Sequence, residues 1–241
     1  MTVEELFKQC SDLVKDYPGG TCKLGEDYPV AGHGFFPVAS GSFSIKRVDL
    51  EISPRKLMFV GQDWGCTGGL LALQNDINAD MISTTCRNLS TLLDHAGIPL
   101  DQCFFTNALF GVRSGNKSTG KSLGWECPKF IEQCKLALQA QVNAIEPRGV
   151  ICLGRDAPDL LARMIEQCEP WKHASSFKQI DDAKKAVINL APTSGPIVAA
   201  ILLHPSFRKP NAKHRNYMGA NGHDAEVAIL KEIWRIVNQN E

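Results

Sequence analysis

Four short runs of apolar residues recur along the chain, and segments with helical spacing separate them. We predict strands at 56–60, 102–106, 149–153 and 197–203. Apolar residues at helical spacing predict helices at 2–16, 84–96, 126–145, 157–167 and 224–239. Strands that are apolar throughout and alternate with helices indicate a parallel sheet covered on both faces. The pattern therefore predicts an α/β fold, a three-layer αβα sandwich around a central, mainly parallel four-stranded sheet.

The N-terminal quarter of the chain has a different character. The helix over 2–16 has Thr2 as its N-cap, and the Pro- and Gly-containing stretch 18–20 ends it. Residues 19–55 are rich in Gly and Pro, with an alternating piece at 43–50 that could form a hairpin. We interpret 1–55 as an N-terminal helix and loop extension of a single domain that spans residues 1–241.

The composition narrows the classes of function. No apolar run is long enough to cross a membrane, and the nine cysteines are mostly scattered singly, which is typical of a cytoplasmic, intracellular protein with no membrane partner. Net charge is zero, with 26 basic and 26 acidic side chains, which counts against nucleic-acid binding, since that usually requires a basic surface. Basic residues nevertheless cluster in two groups that could attract phosphates: Arg208, Lys209, Lys213, His214 and Arg215, and Arg113, Lys117 and Lys121.

Polar residues follow three of the predicted strands directly. The first strand leads into Gly61-Gln62-Asp63-Trp64-Gly65, the second into Asn107, and the fourth into His204-Pro205-Ser206. Ligands of parallel sheets bind outside the carboxyl ends of the strands. We therefore expect a carboxylate, a carboxamide and an imidazole at one edge of the sheet.

The order of these motifs resembles the uracil-DNA glycosylase superfamily over residues 56–205. The segment NALFGVR is similar to the base-reading segment of the common uracil-DNA glycosylases. The segments LLDHAGIPLDQCFFTN, ECPKFIEQC and IEPRGVICLGRDAPDLLA follow the iron–sulfur branch in order. The resemblance implies a monofunctional DNA glycosylase, a hydrolase that removes uracil or another deaminated or damaged base in base-excision repair. Its partner would be duplex or single-stranded DNA, on which it is expected to act as a monomer.

The resemblance also implies roles for particular side chains. Asp63 would stabilise the sugar cation and orient water, and His204 would donate a hydrogen bond to the leaving base. Asn107 could meet the N3–H and O4 of a uracil that has rotated out of the duplex. The full base-binding set is Gly61, Gln62, Trp64, Gly65, Met81 and Asn107. The DNA-binding set is Ser206, Phe207, Arg208 and Lys209, with Phe207 either a wedge in the base stack or a buried anchor.

Three departures from the family pattern concern the base pocket. Trp64 stands where Pro is usual, Gly65 where the common uracil enzymes have a Tyr, and Met81 where the iron–sulfur branch has a stacking aromatic residue. Trp64 could supply the missing stacking face or belong to the core. Without the Tyr, the pocket should be more open beside the 5-position of the base, and it should tolerate 5-substituted uracils.

The iron–sulfur branch holds its cluster with four cysteines, and this chain lacks most of them. Only Cys10 and Cys127 match, because Leu13 and Gly111 occupy other ligand positions, with Cys22 and Cys134 as conceivable substitutes. A cluster needs about four thiolates, so we expect no cluster, metal or other cofactor.

Two other classes of function compete with the glycosylase. A binding module could retain the fold and pocket without turnover, and the neutral charge and Met81 favour that reading. Asp63 argues against it, because a simple binder has no use for a carboxylate where an anionic base must sit. A nucleotide-phosphate enzyme is poorly supported, because no GxxxxGK[ST] or GxGxxG motif follows the first strand.

Overall fold

The computed structural model describes residues 1–15, 17–18, 20–21, 51–68, 84–117, 120–174, 176–190, 195–207 and 211–239. The hairpin predicted at 43–50 and the base-binding candidate Met81 lie outside these residues. Among the described residues, no helix is both long enough and apolar enough to cross a bilayer.

Helices and strands alternate through most of the chain. The helices are α1 Val3–Leu13, α2 Thr84–Ala96, α3 Pro128–Ile145, α4 Ala157–Met164, α5 Pro170–His173, α6 Phe177–Asp182 and α7 Gly222–Asn238. The strands are β1 Gly20–Thr21, β2 Leu57–Gly61, β3 Cys103–Asn107, β4 Val112–Arg113, β5 Gly149–Leu153, β6 Val187–Asn189, β7 Val198–Leu202, β8 Asn216–Tyr217 and β9 Ala220–Asn221. Short 3-10 helices lie at Leu100–Gln102, Leu123–Glu126, Glu166–Cys168, Pro205–Phe207 and Ala212–His214. The four strands and five helices predicted from the alternating pattern are confirmed, with ends that shift by a few residues at most.

The central sheet has the strand order β3-β2-β5-β7-β6. β2 pairs with β5, and β5 with β7, in parallel register, so that Leu57 lies opposite Gly149 and Gly149 opposite Val198. β6 pairs antiparallel with β7. Helices flank this mainly parallel sheet, which confirms the αβα sandwich. The predicted count of four strands is corrected to five, because the edge strand β6 has three residues and is too short to show a pattern.

Burial explains why the strands were visible in the sequence. Every residue of β2, β3, β5 and β7 is buried. A strand that is covered on both faces must be apolar throughout rather than alternating. The polar side chains of Thr106 and Asn107, at the end of β3, are the exceptions, being buried at 0% and 5% exposure.

The chain divides into two compact units. Unit 1 comprises Met1–Pro54, Gln62–Ser83 and Phe105–Ile145, and unit 2 comprises the remaining segments. In unit 1, α1 packs on α3, and its predicted N-cap is confirmed, because Thr2 and Glu5 form a reciprocal capping box. In unit 2, α7 packs against α2 and β7. The single-domain organisation stays a prediction.

Candidate functional site

The loop that carries Asp63 is paired along its length with the segment that leads into β4. The N–H of Leu109 donates to the carbonyl of Gln62 at 2.8 Å, and the N–H of Arg113 donates to the carbonyl of Gly65 at 2.9 Å. Between them, the N–H of Trp64 donates to the carbonyl of Gly111 at 3.3 Å. Main-chain pairing of this kind gives the Asp63 loop a defined conformation although it contains no strand of its own.

Both carboxylate oxygens of Asp63 accept hydrogen bonds. Oδ1 accepts from the N–H of Gly65 at 3.0 Å, and Oδ2 accepts from Nε of Arg113 at 2.6 Å. The carboxylate side chain is 5% exposed, so the guanidinium stabilises its negative charge where little water can do so. A carboxylate oxygen can accept more than one hydrogen bond, so a carboxylate held in this way is also able to orient a water molecule.

Gly65 has a backbone conformation that suits glycine. Its φ angle is +81°, in the left-handed region that a side chain with a Cβ rarely adopts. This conformation aims the N–H of Gly65 at Asp63. A Tyr at this position would be strained, so the glycine belongs to the geometry of the loop as well as to the shape of the predicted pocket.

Asn107 ends β3 with its side-chain amide held on both sides. The amide nitrogen lies 3.2 Å from the carbonyl oxygen of Asp63, and the amide oxygen lies 2.9 Å from Nε1 of Trp64. This orientation is assigned because it alone places a donor opposite the carbonyl and an acceptor opposite the indole N–H. The structure therefore brings Asp63, Trp64, Gly65 and Asn107 together in unit 1.

The indole of Trp64 lies in the core of unit 1. The residue is 3% exposed, stacks on Phe7 at 5.8 Å between ring centroids, and meets the ring of Phe110 edge-on at 4.4 Å. Of the two interpretations that the sequence left open, the structure supports the core position. Trp64 contacts the predicted base-binding set through the hydrogen bond from its indole N–H to the side chain of Asn107.

His204 lies two residues beyond the end of β7, in unit 2. Its Nδ1 lies 2.7 Å from the hydroxyl of Ser206 and accepts from the N–H of Ser206 at 3.3 Å. A backbone N–H can only donate, so Nδ1 is the acceptor and the proton of the neutral ring is on Nε2. Burial lowers the pKa of His204 below its ordinary value of 6.5, which keeps the ring neutral at pH 7. The imidazole is thus a neutral donor through Nε2.

Contacts from several parts of unit 2 hold the segment around His204. The N–H of Leu203 donates to the buried carboxylate of Glu226 at 2.7 Å, and Nδ2 of Asn88 donates to the carbonyl of Pro205 at 2.7 Å. Gly154, at φ +87°, lies so close that a Cβ there would be 3.1 Å from the Cβ of His204. The backbone on both sides of His204 is therefore fixed by hydrogen bonds.

In each of the two basic groups predicted from the sequence, one arginine is buried. Arg215 is 1% exposed, with Nη2 donating to the carbonyl of Ile201 at 3.2 Å and Nε 3.3 Å from Oδ2 of Asp181. Its guanidinium also lies 4.8 Å from the ring centroid of Phe177. Arg113, at 9% exposure, is paired with Asp63. The expectation that these two arginines serve the phosphate-attracting groups is therefore wrong.

The remaining residues of those groups and of the predicted sets are placed as follows. Exposed basic residues are Lys117, Lys121, Lys213 and His214. Gly61 is buried at the end of β2, and Gln62 is half-buried with its Nε2 3.5 Å from the carbonyl of Gly120. Ser206 is exposed, whereas Arg208, Lys209 and the side chain of Phe207 lie outside the described residues. Their roles at DNA stay predictions.

Of the four cysteines considered as cluster ligands, Cys10 and Cys134 have protein partners, and Cys22 lies outside the described residues. Sγ of Cys10 donates to the carbonyl of Ala137 at 3.5 Å, and Sγ of Cys134 accepts from the N–H of Phe110 at 3.5 Å. Burial raises the pKa of the Cys10 thiol to about 12, which disfavours the thiolate that metals bind. In the part of the chain that the structure describes, no group of three or more His, Cys, Asp or Glu side chains could hold a metal ion.

Sequence reasoning missed Arg113 and Glu226 as parts of the site. Arg113 had a usable signal, since it belongs to the NALFGVR segment that carried the resemblance. Glu226 had none beyond being an acidic residue on the first turns of α7, where acidic residues are common. Its role is visible only in the structure, where Glu226 is buried and accepts a hydrogen bond from the N–H of Leu203.

Comparison with known proteins gives one family. The family model described as the uracil DNA glycosylase superfamily matches residues 54–222, which is more than two thirds of the chain. No curated protein gives a significant match.

Proposed function

Because the chain belongs to the uracil DNA glycosylase superfamily, we propose that it is a monofunctional DNA glycosylase. It hydrolyses the N-glycosidic bond of uracil or of another deaminated or damaged base, as a monomer acting on DNA in base-excision repair. The observation that carries the proposal is the buried ion pair between Asp63 and Arg113. Burial and hydrogen bonds to both oxygens fix the position of the Asp63 carboxylate. The proposed reaction uses a carboxylate in a fixed position.

The proposed reaction assigns a definite role to the carboxylate of Asp63. Heterolysis of the glycosidic bond leaves positive charge on the deoxyribose and negative charge on the base. Asp63 stabilises the sugar cation and accepts a hydrogen bond from the attacking water. Arg113 keeps the carboxylate ionised and fixes its orientation through the 2.6 Å contact. Arg113 therefore holds the carboxylate of Asp63 in place before the substrate arrives.

His204 acts on the other product of the bond cleavage. A neutral imidazole that donates through Nε2 stabilises negative charge on a base oxygen without adding a full positive charge to the pocket. Ser206 supports this role, because its N–H and hydroxyl keep Nδ1 the acceptor. The target base must first rotate out of the duplex, since a side chain cannot reach the glycosidic bond within the stack.

Asn107 selects the base. Its amide oxygen and nitrogen each retain one hydrogen-bonding position after the contacts with Trp64 and Asp63. These positions suit the N3–H and O4 of uracil, and also the N1–H and O6 of hypoxanthine. Because no Tyr occupies position 65, the proposed substrates extend to 5-substituted uracils.

A binding module without turnover remains the second candidate. The observation that favours it is the withdrawal of Arg113 and Arg215 into the interior, which reduces the basic surface of a chain with zero net charge. Such a module would bind an oligonucleotide and leave its bases intact.

A single-turnover assay separates the two candidates. Oligonucleotides that carry uracil, hypoxanthine, xanthine or 5-substituted uracils are incubated with excess protein and then treated with alkali, which cuts the strand at abasic sites. We expect cleavage at uracil or at one of the other bases with a 4-oxo, 3-imino edge. Binding to the oligonucleotides without alkali-sensitive sites on any of them would favour the binding module.

A further inference from the structure

The side-chain amide of Asn107 has two partners within unit 1, and one of them is a side chain. The indole N–H of Trp64 donates to the amide oxygen over 2.9 Å, while the amide nitrogen lies 3.2 Å from the carbonyl oxygen of Asp63. Both Trp64 and Asn107 are buried, at 3% and 5% exposure. A buried hydrogen bond of this kind is little weakened by competition from water.

The orientation of an asparagine amide decides which pyrimidine it can read. With the oxygen and nitrogen in their present places, the amide accepts from N3–H and donates to O4 of uracil. Rotation by 180° about the last side-chain bond exchanges donor and acceptor. The rotated amide donates to N3 and accepts from the amino group of cytosine, and so reads the wrong base.

We propose that Trp64 is a specificity-determining residue, whose indole N–H holds Asn107 in the orientation that reads uracil and rejects cytosine. The inference rests on the proposed glycosylase function and concerns its substrate preference. Rotation of the amide would place its NH2 group against the indole N–H and its oxygen against the carbonyl of Asp63. Both contacts would then be repulsive, with two donors facing each other in one and two acceptors in the other.

The surroundings of Trp64 make it suitable for this role. Phe7 stacks on the indole at 5.8 Å, and Phe110 meets it edge-on at 4.4 Å, so the ring cannot turn its N–H away without disturbing the core. The proline that the resemblance leads one to expect at this position has no side-chain donor. The hydrogen bond therefore belongs to this chain's own sequence.

The expected size of the effect follows from the number of contacts. Loss of the indole N–H leaves the carbonyl of Asp63 as a remaining constraint on the amide. The preference for uracil over cytosine should therefore fall by about tenfold, the factor that one hydrogen bond supplies, rather than disappear.

The test compares two tryptophan variants. Trp64→Phe removes the N–H and keeps an aromatic ring between Phe7 and Phe110. Trp171→Phe is the matched control, because Trp171 is also 3% exposed and its Nε1 donates to the carbonyl of Lys185 at 2.7 Å in unit 2. Single-turnover kcat/KM is measured on single-stranded oligonucleotides with one uracil or one cytosine, so that the stability of a base pair does not contribute.

We expect the uracil-to-cytosine ratio to fall about tenfold in Trp64→Phe and to stay at the wild-type value in Trp171→Phe. An unchanged ratio in a folded Trp64→Phe protein would overturn the proposal. So would an equal fall in the control.

A second measurement on the wild-type protein keeps the proposal testable if Trp64→Phe does not fold. In a nuclear Overhauser spectrum, the indole Hε1 of Trp64 should give only a weak cross-peak to the side-chain NH2 protons of Asn107. A strong cross-peak would show the rotated amide and overturn the inference. If the wild-type protein releases no base from any oligonucleotide, the proposed function fails, whereas the cross-peak still reports on the orientation of Asn107.

Discussion

Asp63 is held as a charged side chain and His204 as a neutral one, and the surroundings of the two residues achieve this by different means. Asp63 contacts a guanidinium directly, and its buried carboxylate is stabilised as an anion. His204 is held by Ser206 and by burial, which lowers its pKa and keeps the ring neutral. Close to this segment, Arg215 and Glu226 carry buried charges and bond to the backbone at Ile201 and Leu203, and Asp181 is paired with Arg215. The contrast shows how one chain can keep one group charged and another neutral at the same pH.

The largest expected effect concerns the two buried arginines. Arg215→Gln should lower the free energy of unfolding by about 3–5 kcal/mol, because it leaves the carboxylate of Asp181 without its buried partner. Arg113→Gln should have a similar cost and should also slow base release, because Arg113 contacts the carboxylate of Asp63 itself. Denaturant unfolding and single-turnover rates at low temperature measure the two effects.

The control for these variants is an arginine in an exposed pair. Arg163 lies 3.0 Å from Asp159 on α4, and Arg163→Gln should change the free energy of unfolding by less than about 1 kcal/mol. If both proteins were folded and Arg215→Gln slowed base release more than Arg113→Gln, the role proposed for Arg113 at Asp63 would be contradicted.

The next effect concerns the neutral donor. His204→Ala should raise the activation free energy of the chemical step by about 2–4 kcal/mol, because a hydrogen bond to the developing charge on the leaving base is lost. Substrate binding should change little, so the loss should be in kcat rather than in KM. A variant that kept its kcat and lost only affinity would show that His204 contributes to binding and not to the reaction.

DNA engagement should give a smaller effect. Replacing Arg208 and Lys209 together by Ala should weaken binding and flatten its salt dependence by about one to two units of log–log slope, if each contacts a phosphate. The matched control is Lys184→Ala with Lys185→Ala, an exposed pair next to β6. An unchanged salt slope in the Arg208 and Lys209 variant would remove the loop from the DNA interface.

The smallest effect concerns pH. Burial lowers the pKa of His204 below 6.5 in the folded protein, so below that pH the unfolded chain binds more protons than the folded one. The stability that depends on the neutral ring is therefore complete above pH 6.5 and lost as the pH falls. We expect Tm to drop between pH 7.5 and pH 5.5 by more in the wild type than in His204→Gln. Equal drops would show that His204 is not protected from protonation.

The sequence predicted the sheet better than the side-chain network, and the residues show why. The strand β7 was visible because complete burial requires an uninterrupted apolar run, and Thr2 was visible because a cap is a local feature. β6 was missed because three residues show no period. Arg113 and Arg215 were expected among the phosphate-attracting groups because charged side chains usually lie at the surface, and their burial depends on carboxylates that are distant in the sequence.

Trp64 illustrates a different limit. The position after Asp63 was recognised as a departure from the family pattern, but its role depends on Phe7, Asn107 and Phe110, which lie far away along the chain. Distant contacts of this kind are set by the tertiary structure. No local pattern around position 64 could have distinguished a stacking face from a core ring.

The most direct test of the proposed chemistry is the mass of the DNA product made by wild-type protein and by Asp63→Asn. With the preferred substrate, the wild type should release the free base and leave an uncut strand in which a hydroxyl replaces the base. Asp63→Asn should do so at least tenfold more slowly while binding the same DNA nearly as well, and Asp159→Asn, from the exposed pair on α4, should match the wild type. Base release by Asp63→Asn at the wild-type rate would contradict the role proposed for this carboxylate.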